Sequence, residues 1–353
     1  MCNTQDILSK AVDGKRISTE DTVHLFEHGE LLELGLAADA VCRRMHPEEF
    51  RTYVVDRNIN YTNICVSKCK FCAFYREKDS PEAYLLSDDE IYAKIEEAVQ
   101  LGATQILMQG GLHPDLDILY FERLICGIKD RFQVHAHSLS APEIIHIAKL
   151  SALTVEETIS RLKEAGLDSL PGGGAEILTD ASRGSLSPGK CTTHEWLEVM
   201  ETAHHLGMPS TATMMFGHTE TYAERVAHLS AIRDLQDRTG GFTAFIPWTF
   251  QPANTELGGK AVGGYEYLRT LAISRLFLDN FANIQASWVT QGDKIGQISL
   301  MFGANDLGST MIEENVVAAA GVSFRMTEEE LRRAIQEAGY TPRRRDTYYR
   351  LLE

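Results

Sequence analysis

The chain shows two hydrophobic patterns. Residues 4–50 carry apolar side chains three to four positions apart in three segments, the second of which follows the capping candidate Ser18. From residue 51, short runs of apolar and β-branched residues alternate with longer helical segments, such as the one that starts at Ser87 and ends at Gly102. The first pattern predicts an N-terminal helical extension over residues 1–50, and the second predicts repeated βα units.

Eight strand-like runs follow residue 51, and helical segments separate most of them. They begin at Thr52, Thr104, Gln133, Asp168, Ser210, Thr243, Ile284 and Ile298. Near-continuous apolar strands bounded by helices favour parallel pairing, and eight strands close a parallel barrel. An open doubly wound sheet is the alternative, but its glycine-rich phosphate loop would follow the first strand, where this chain has cysteines. The pattern predicts an α/β fold with a (βα)8 TIM-type barrel over residues 51–322, and a C-terminal helical tail, residues 323–353, packed on the barrel.

Length and composition narrow the class of protein. With 353 residues and 44% hydrophobic content, the chain can bury a large core. Its net charge of -16 argues against a nucleic-acid partner, whose phosphates require a basic face, and favours a small molecule or a protein electron donor. The N-terminus has no apolar core of signal-peptide length, and no segment approaches ~18 consecutive apolar residues, which predicts a cytoplasmic protein without a membrane partner. Cys42 and Cys126 lie on apolar faces of helical patterns and are expected to pack in the core.

The segment 58–76 carries the most specific motif, because it places Cys65, Cys69 and Cys72 in the spacing Cys-x-x-x-Cys-x-x-Cys. Three thiolates without a nearby fourth Cys or His predict an iron–sulfur cluster with one open iron, since a closed zinc site needs four ligands. A zinc site and a set of buried free thiols are the alternatives.

Polar residues end nearly every strand-like run. In a βα barrel the C-terminal ends of the strands form the active site, so these residues should converge on one mouth. The segment Pro171–Glu176 contains three consecutive glycines, which permit close backbone approach to a ligand, and Glu176 can accept hydrogen bonds from ribose hydroxyls. A glycine-rich turn with a solvated glutamate is the alternative. His135 and His137 alternate along one strand and therefore point the same way, into the barrel or away from it.

At the cysteine motif the chain resembles the radical S-adenosylmethionine (SAM) enzymes. The resemblance implies a 4Fe-4S cluster held by the three cysteines, with SAM on the open iron and reductive cleavage of SAM to a 5′-deoxyadenosyl radical. It further implies that Phe71 shields the cluster. The residues that would contact SAM are Gly110, Gly111, Glu176 and Gly217. The acidic residue that often follows the two glycines in this superfamily is Leu112 here.

Stretches between about Asp56 and Gly321 narrow the resemblance. ILMQGGLHPDL, PGGGAEIL, QASWVTQG and FGANDLGSTMIEENVV are similar to the radical SAM cyclases of the futalosine route to menaquinone. The similarity implies that the radical removes hydrogen from the ribose-derived carbon four of dehypoxanthine futalosine, that this carbon attacks the benzoate ring, and that a proton and an electron are then lost. The expected substrate contacts are Asn60, His113, His137, Trp288, Gln291 and Asn305. The candidate proton acceptors near the C-terminus are Asp293, Asp306, Glu313 and Glu314. By position, Asp293 or Asp306 is the expected one.

The same resemblance leaves related functions open. Aminofutalosine synthase, in which the adenosyl radical adds to an alkene, and the radical SAM components that build the deazaflavin FO share the cysteine motif. A more remote alternative is a non-catalytic iron–sulfur or zinc sensor. For the enzymatic reading, a flavodoxin- or ferredoxin-type protein is the implied electron donor.

Overall fold

The computed structural model describes residues 3–352 of the chain. Three helices open it, namely α1 (Thr4–Val12), α2 (Thr19–His28) and α3 (Leu31–Met45), as the hydrophobic pattern predicts. Ser18 starts α2 with a capping box: its hydroxyl accepts a hydrogen bond from the Asp21 amide, and the Asp21 carboxylate accepts one from the Ser18 amide.

Strands and helices alternate through most of the remaining chain. The strands are β1 (Phe50–Val54), β2 (Asp56–Ile59), β3 (Gln105–Met108), β4 (His135–Ser138), β5 (Ser210–Phe216), β6 (Phe242–Thr249), β7 (Asn283–Ile284), β8 (Asp306–Ser309) and β9 (Thr341–Arg344). The helices are α4 (Asp88–Gln100), α5 (Ile118–Arg131), α6 (Ala141–Ser151), α7 (Val155–Glu164), α8 (Asp180–Leu186), α9 (Thr193–His205), α10 (Tyr222–Thr239), α11 (Gly264–Phe277), α12 (Trp288–Gln291), α13 (Asp293–Ser299), α14 (Val316–Ala319) and α15 (Glu328–Glu337).

The strands pair in parallel in three sheets, in the orders β8-β1-β9, β2-β3-β4 and β5-β6-β7. Parallel bridges connect these sheets at the pairs His137–Ser169, Leu170–Ser210 and Gln285–Asp306. Only Val55 separates β1 from β2, so this first strand pairs with β8 through one half and with β3 through the other. Because parallel strands share one direction, their C-terminal ends lie on the same side of the fold.

The structure departs from the expected strands in the fourth, seventh and eighth units. The run from Asp168 contributes only the bridging residues Ser169 and Leu170. The seventh run forms a strand of two residues before α12 begins. Residue Ile298, where an eighth strand was expected to start, lies in α13, and the strand itself is β8.

The C-terminal tail also differs from the expected helical segment. It contains α15, but it continues into β9, which pairs with β1 in the register Phe50–Thr341 to Tyr53–Arg344. The tail is therefore joined to the sheet by backbone hydrogen bonds and does not only pack on it. The sequence did not predict this strand because the segment TPRRR has no apolar alternation.

A single buried apolar cluster connects the strands to the surrounding helices. Ile106 and Met108 of β3 belong to it together with Phe121 and Leu124 of α5. Cys42 is buried in α3, as expected, but Cys126 is exposed, so the expectation that Cys126 packs in the core is wrong. Over residues 3–352, the structure contains no helix that is both long enough and apolar enough to span a membrane.

Candidate active site

A cavity of about 390 Å³ lies among the strands, and the loop that carries Cys65, Cys69 and Cys72, which we call the cysteine loop, contributes to its lining. Alternate residues of the strands line it, as the two-residue period of a strand requires. On the first strand these are Val54, Asp56, Asn58 and Asn60, and on β3 and the residue after it they are Gln105, Leu107 and Gln109. The intervening Arg57 points the other way, where it donates hydrogen bonds to Glu97 and Glu313. The volume is in the range of small-molecule sites.

The cysteine loop forms one end of this cavity, and Cys65, Cys69 and Cys72 all line it. We call these three residues the cluster cysteines. The loop is held by backbone hydrogen bonds, including those from the Cys72 amide to the Cys69 carbonyl (3.0 Å) and from the Lys70 amide to the Leu186 carbonyl (2.9 Å). Burial raises the pKa of Cys69 to about 11 and also raises that of Cys72. Binding to a metal centre would offset this cost, because the thiolate is the form that coordinates metal.

Within residues 3–352, no three His, Cys, Asp or Glu side chains are close enough together to hold a single metal ion. A 4Fe-4S cluster presents separate iron atoms to its cysteines, so it does not require three thiols around one ion. The arrangement of the cluster cysteines along one cavity therefore fits a cluster.

Gly110 and Gly111 lie against the start of the cysteine loop. A Cβ atom on Gly111 would be 2.2 Å from the Ile64 carbonyl oxygen and 2.9 Å from the Cys65 Cβ, and one on Gly110 would be 2.6 Å from the Tyr61 ring. Both glycines also line the cavity. Because glycine has no side chain, the loop after β3 can approach the cysteine loop closely. This packing role does not depend on a bound ligand.

Glu143 supports this arrangement and was missed in the sequence, where its only signal is the capping-box spacing Ser140-x-x-Glu143. Its buried carboxylate accepts hydrogen bonds from the Tyr61 hydroxyl (2.8 Å) and the Gly110 amide (3.0 Å). It also accepts hydrogen bonds from the amide and hydroxyl of Ser140 at the start of α6. Glu143 therefore connects α6 to the glycine pair beside the cysteine loop.

Glu176 lines the cavity and has a left-handed backbone (φ 42°), which is uncommon for a residue with a side chain. Its Oε1 accepts a hydrogen bond from Lys190 Nζ at 2.7 Å. Its buried Oε2 lies 3.5 Å from Arg183 Nη1 but accepts no hydrogen bond from any described residue. Lys190 lies over the Phe71 ring, 5.4 Å from its centroid. A buried carboxylate oxygen with unused acceptor capacity suits a ligand that brings hydroxyl donors.

Asn58, Asn60 and His137 also line the cavity. The Oδ1 atoms of both asparagines are buried and have no hydrogen-bond partner among residues 3–352. His135 and His137 both bond the Ser169 hydroxyl, at 2.7 and 2.6 Å, so they point the same way as expected. Burial lowers the pKa of His137 to about 3, which keeps its imidazole neutral at physiological pH.

The structure does not bring all expected contacts into the cavity. Of the remaining candidates, Trp288 lines it and donates from its indole nitrogen to the Ser309 carbonyl (3.1 Å). Four others are outside the described cavity lining, namely His113, Gly217, Gln291 and Asn305. Asn305 has a structural set of partners, because its Oδ1 accepts from Arg275 and from the Ile284 amide.

Neither expected proton acceptor lies in the cavity lining formed by residues 3–352. Asp293 is exposed at the start of α13. Asp306 is fully buried and paired with Arg345, whose Nε and Nη2 donate to its two oxygens at 2.5 and 2.9 Å. These positions correct the expectation for both aspartates, because a base must reach the proton that it removes.

Glu314 is the carboxylate that lies in the cavity at the end of the eighth unit. Its Oε2 accepts from Asn58 Nδ2 at 2.6 Å, and its Oε1 accepts from the amides of Val316 and Val317 at 2.7 and 2.9 Å. Burial raises the pKa of Glu314 despite these hydrogen bonds. Its neighbour Glu313 points elsewhere and pairs with Arg57 and Lys94.

Comparison with known proteins assigns the class. Residues 59–232 match the family model of the radical SAM superfamily. Two solved structures share the fold: the FeFe-hydrogenase maturase HydG from Carboxydothermus hydrogenoformans (TM-score 0.77, 16% identity, 98% of this chain and 80% of that chain) and methylornithine synthase PylB (TM-score 0.75, 17% identity, 95% and 97%). The parallel α/β fold with its cysteine loop is that of a radical SAM protein.

Sequence relatives narrow the class further. Residues 239–353 match the model of the CofH/MqnC C-terminal region. Proteins named cyclic dehypoxanthine futalosine synthase from Halalkalibacterium halodurans (48% identity, 98% of this chain, 94% of the relative) and Streptomyces coelicolor (49%, 99% and 88%) are similar over nearly the full length. A protein from Archaeoglobus fulgidus named 5-amino-6-(D-ribitylamino)uracil–L-tyrosine 4-hydroxyphenyl transferase is 46% identical over 86% of this chain and 89% of the relative. The chain belongs to the CofH/MqnC family of radical SAM enzymes.

Proposed function

We propose that this protein converts dehypoxanthine futalosine to cyclic dehypoxanthine futalosine in menaquinone biosynthesis, in the cytoplasm. The observation that carries the proposal is that the cluster cysteines and the buried Glu176 carboxylate line one cavity. The relatives that bear the cyclase name are also 48% and 49% identical over almost the whole chain.

We further propose that the three sheets form one closed eight-stranded barrel. The pairings follow the chain from the first strand through β3, β4, residues 169–170, β5, β6, β7 and β8, and β8 pairs back to β1. A ring of this kind would place the cysteine loop and the other strand ends at one mouth, where barrel enzymes have their active sites.

In this proposal the cluster cysteines hold a 4Fe-4S cluster, with SAM beside it. When bound, the cluster supplies the electron that cleaves SAM to methionine and a 5′-deoxyadenosyl radical. Glu176 accepts hydrogen bonds from the ribose hydroxyls of SAM, and Lys190 holds the carboxylate in place through its 2.7 Å contact. Phe71 covers one side of the site, and the backbone at Gly110 and Gly111 lies where the methionine end of SAM would pass.

The chain's remaining task is to position the substrate and remove one proton. Asn58 and Asn60 offer two buried carbonyl oxygens that lack donors among the described residues, which suits the hydroxyl groups of the sugar-derived part of the substrate. After the new carbon–carbon bond forms, the C–H proton of the ring passes to the Glu314 carboxylate. The remaining electron passes to a one-electron acceptor of the iron–sulfur class, and the ring regains its aromaticity. Positioning contributes more than acid–base power in such a reaction.

A flavodoxin- or ferredoxin-type protein is the proposed electron donor. Val66 and Lys68 of the cysteine loop are exposed, with 48% of Val66 accessible. This surface would bring a small redox protein close to the cluster cysteines.

The test is an anaerobic assay of the protein reconstituted with iron and sulfide. With SAM, a reductant and dehypoxanthine futalosine, we expect the cyclic product together with free 5′-deoxyadenosine. A separate reaction receives the substrate of aminofutalosine synthase. Incorporation of the adenosyl group into its product would identify this protein as an aminofutalosine synthase instead. Because relatives named as tyrosine 4-hydroxyphenyl transferases are also similar, a parallel reaction receives L-tyrosine and 5-amino-6-(D-ribitylamino)uracil. Turnover of this pair without turnover of dehypoxanthine futalosine would refute the proposal.

A further inference from the structure

The C-terminal segment reaches the end of the cavity opposite the cysteine loop. Arg345, Thr347 and Tyr349 line the cavity there, next to Asp56 and Gln105 at the beginnings of their strands. We call these five residues the cavity floor. We propose that Tyr349 is a substrate-positioning residue whose hydroxyl bonds a neutral polar group of the substrate. This inference rests on the proposed function.

The conformation of Tyr349 is unusual in two ways. Its φ is +62°, in the left-handed region that is strained for a residue with a side chain. Its hydroxyl oxygen is enclosed in the protein and has no hydrogen-bond partner among residues 3–352. A buried hydroxyl without a partner is unfavourable, and a ligand group at the floor would provide one.

The segment is rigidly built around Tyr349. Residues 345–351 form a tight turn, in which the Asp346 amide donates to the Arg350 carbonyl (2.9 Å) and the Tyr349 amide donates to the Asp346 carbonyl (3.2 Å). The Arg345 guanidinium lies over the Tyr349 ring, 3.9 Å from its centroid, and is fixed from the other side by Asp306. The phenol is therefore held in one place and is not a mobile surface side chain.

The charges at the floor define what it can bind. The positive charge of Arg345 is matched by the two carboxylate oxygens of Asp306. Asp56 is satisfied by Gln105 and the Ser309 hydroxyl, and Thr347 donates to Gln105 at 2.5 Å. The described floor residues thus offer no unmatched positive charge for a carboxylate. A hydroxyl or a carbonyl oxygen of the substrate fits better.

The test compares Tyr349→Phe with Tyr348→Phe. The first substitution removes one hydroxyl and keeps the ring under Arg345, and the second alters a neighbouring tyrosine that is 41% exposed and outside the described cavity lining. We expect Tyr349→Phe to raise the KM for dehypoxanthine futalosine roughly 3- to 10-fold, the effect of one neutral hydrogen bond, with SAM affinity unchanged. Tyr348→Phe should match the wild type.

A second readout does not need the cluster. Dehypoxanthine futalosine should raise the melting temperature of cluster-free wild-type protein and of Tyr348→Phe more than that of Tyr349→Phe. An unchanged KM and an unchanged thermal shift in Tyr349→Phe, or equal changes in both variants, would overturn the inference while the cyclase function stands. A wild-type protein that neither binds nor converts dehypoxanthine futalosine would refute the proposed function and, with it, this contact.

Discussion

Replacing Glu314 by glutamine tests the proton transfer separately from the radical step. The proposed reaction needs a base only after the new ring bond has formed, so Glu314→Gln should still cleave SAM and form 5′-deoxyadenosine. Cyclic product should fall ~100- to 10,000-fold, the usual contribution of a general base. The decisive quantity is the ratio of cyclic product to 5′-deoxyadenosine under anaerobic turnover.

The structure indicates that this variant will fold. Glutamine can keep its carbonyl oxygen toward the amides of Val316 and Val317 and direct its amide toward Asn58. Rotation of the Asn58 amide would then present Oδ1, which is without a partner among the described residues, to the new donor. Because this rotation turns Nδ2 toward the substrate, total turnover should fall, and only the ratio of cyclic product to 5′-deoxyadenosine isolates the base. Because one set of hydrogen bonds replaces another, the free energy of unfolding should change by only about 1 kcal/mol.

Glu313→Gln is the matched control. Glu313 is adjacent in sequence but lies outside the described cavity lining, and its carboxylate forms ion pairs with Arg57 and Lys94. Its replacement weakens these ion pairs, so we expect a loss of about 1.5–3 kcal/mol in stability with an unchanged product ratio. A wild-type ratio in Glu314→Gln, or an equal fall in both variants, would refute the assignment of the base.

The pH dependence gives an independent check on the same residue. Burial raises the pKa of Glu314, and a base works only after it has lost its proton. The product ratio should therefore rise with pH, with a midpoint above the ordinary glutamate range, and Glu314→Gln should lack this rise. Formation of 5′-deoxyadenosine alone should not follow the same curve.

Three further predictions concern the SAM side of the cavity. Alanine at any cluster cysteine should abolish iron binding and SAM cleavage, as measured by iron content and 5′-deoxyadenosine, while Cys126→Ala should not. Stoichiometric zinc without iron-dependent absorbance in the reconstituted wild-type protein would contradict this. Glu176→Gln should weaken SAM binding by about 1.5–3 kcal/mol in equilibrium dialysis, whereas the exposed Glu198→Gln should not, and equal affinities would remove Glu176 from the site. Gly111→Ala should lower the free energy of unfolding by roughly 1–3 kcal/mol, because its Cβ would meet the Ile64 carbonyl. Gly184→Ala has open space around the new Cβ and should not lower it. Equal stabilities of the two variants in thermal unfolding would refute the close-approach argument.

Much of the fold can be predicted from local patterns. The β5 and β6 strands are long and rich in apolar and β-branched residues. Helix α4 has a capping serine followed by a regular apolar face, so periodicity and caps agree. The segment 293–309 shows where this fails. Its short apolar run ISLMF suits either a strand or a helix, and tertiary packing places its first residues in α13.

The candidate site also contains features that the sequence could predict and features that it could not. The cluster cysteines could be found because their ligand spacing is local and specific to metal binding. The hydrogen bond between Gly110 and Glu143 could not be predicted, because the two residues are 33 positions apart. In the sequence, the Glu143 carboxylate is recognisable only as part of a helix cap. Spacing along the chain predicts chemistry only when one short segment supplies the whole set of groups.

Asp306 shows why a polar residue at a strand end does not by itself identify a base. Its carboxylate is directed at Arg345, 39 residues later, and each group compensates the other's loss of hydration. An aspartate held in this way stabilises a positive charge and orients it, so it is poorly suited to take a proton from substrate. Because the same arginine lies over Tyr349, the pair joins the eighth strand to the C-terminal turn. The tail, whose sequence predicts a helical segment packed on the barrel, thereby supplies part of the cavity floor.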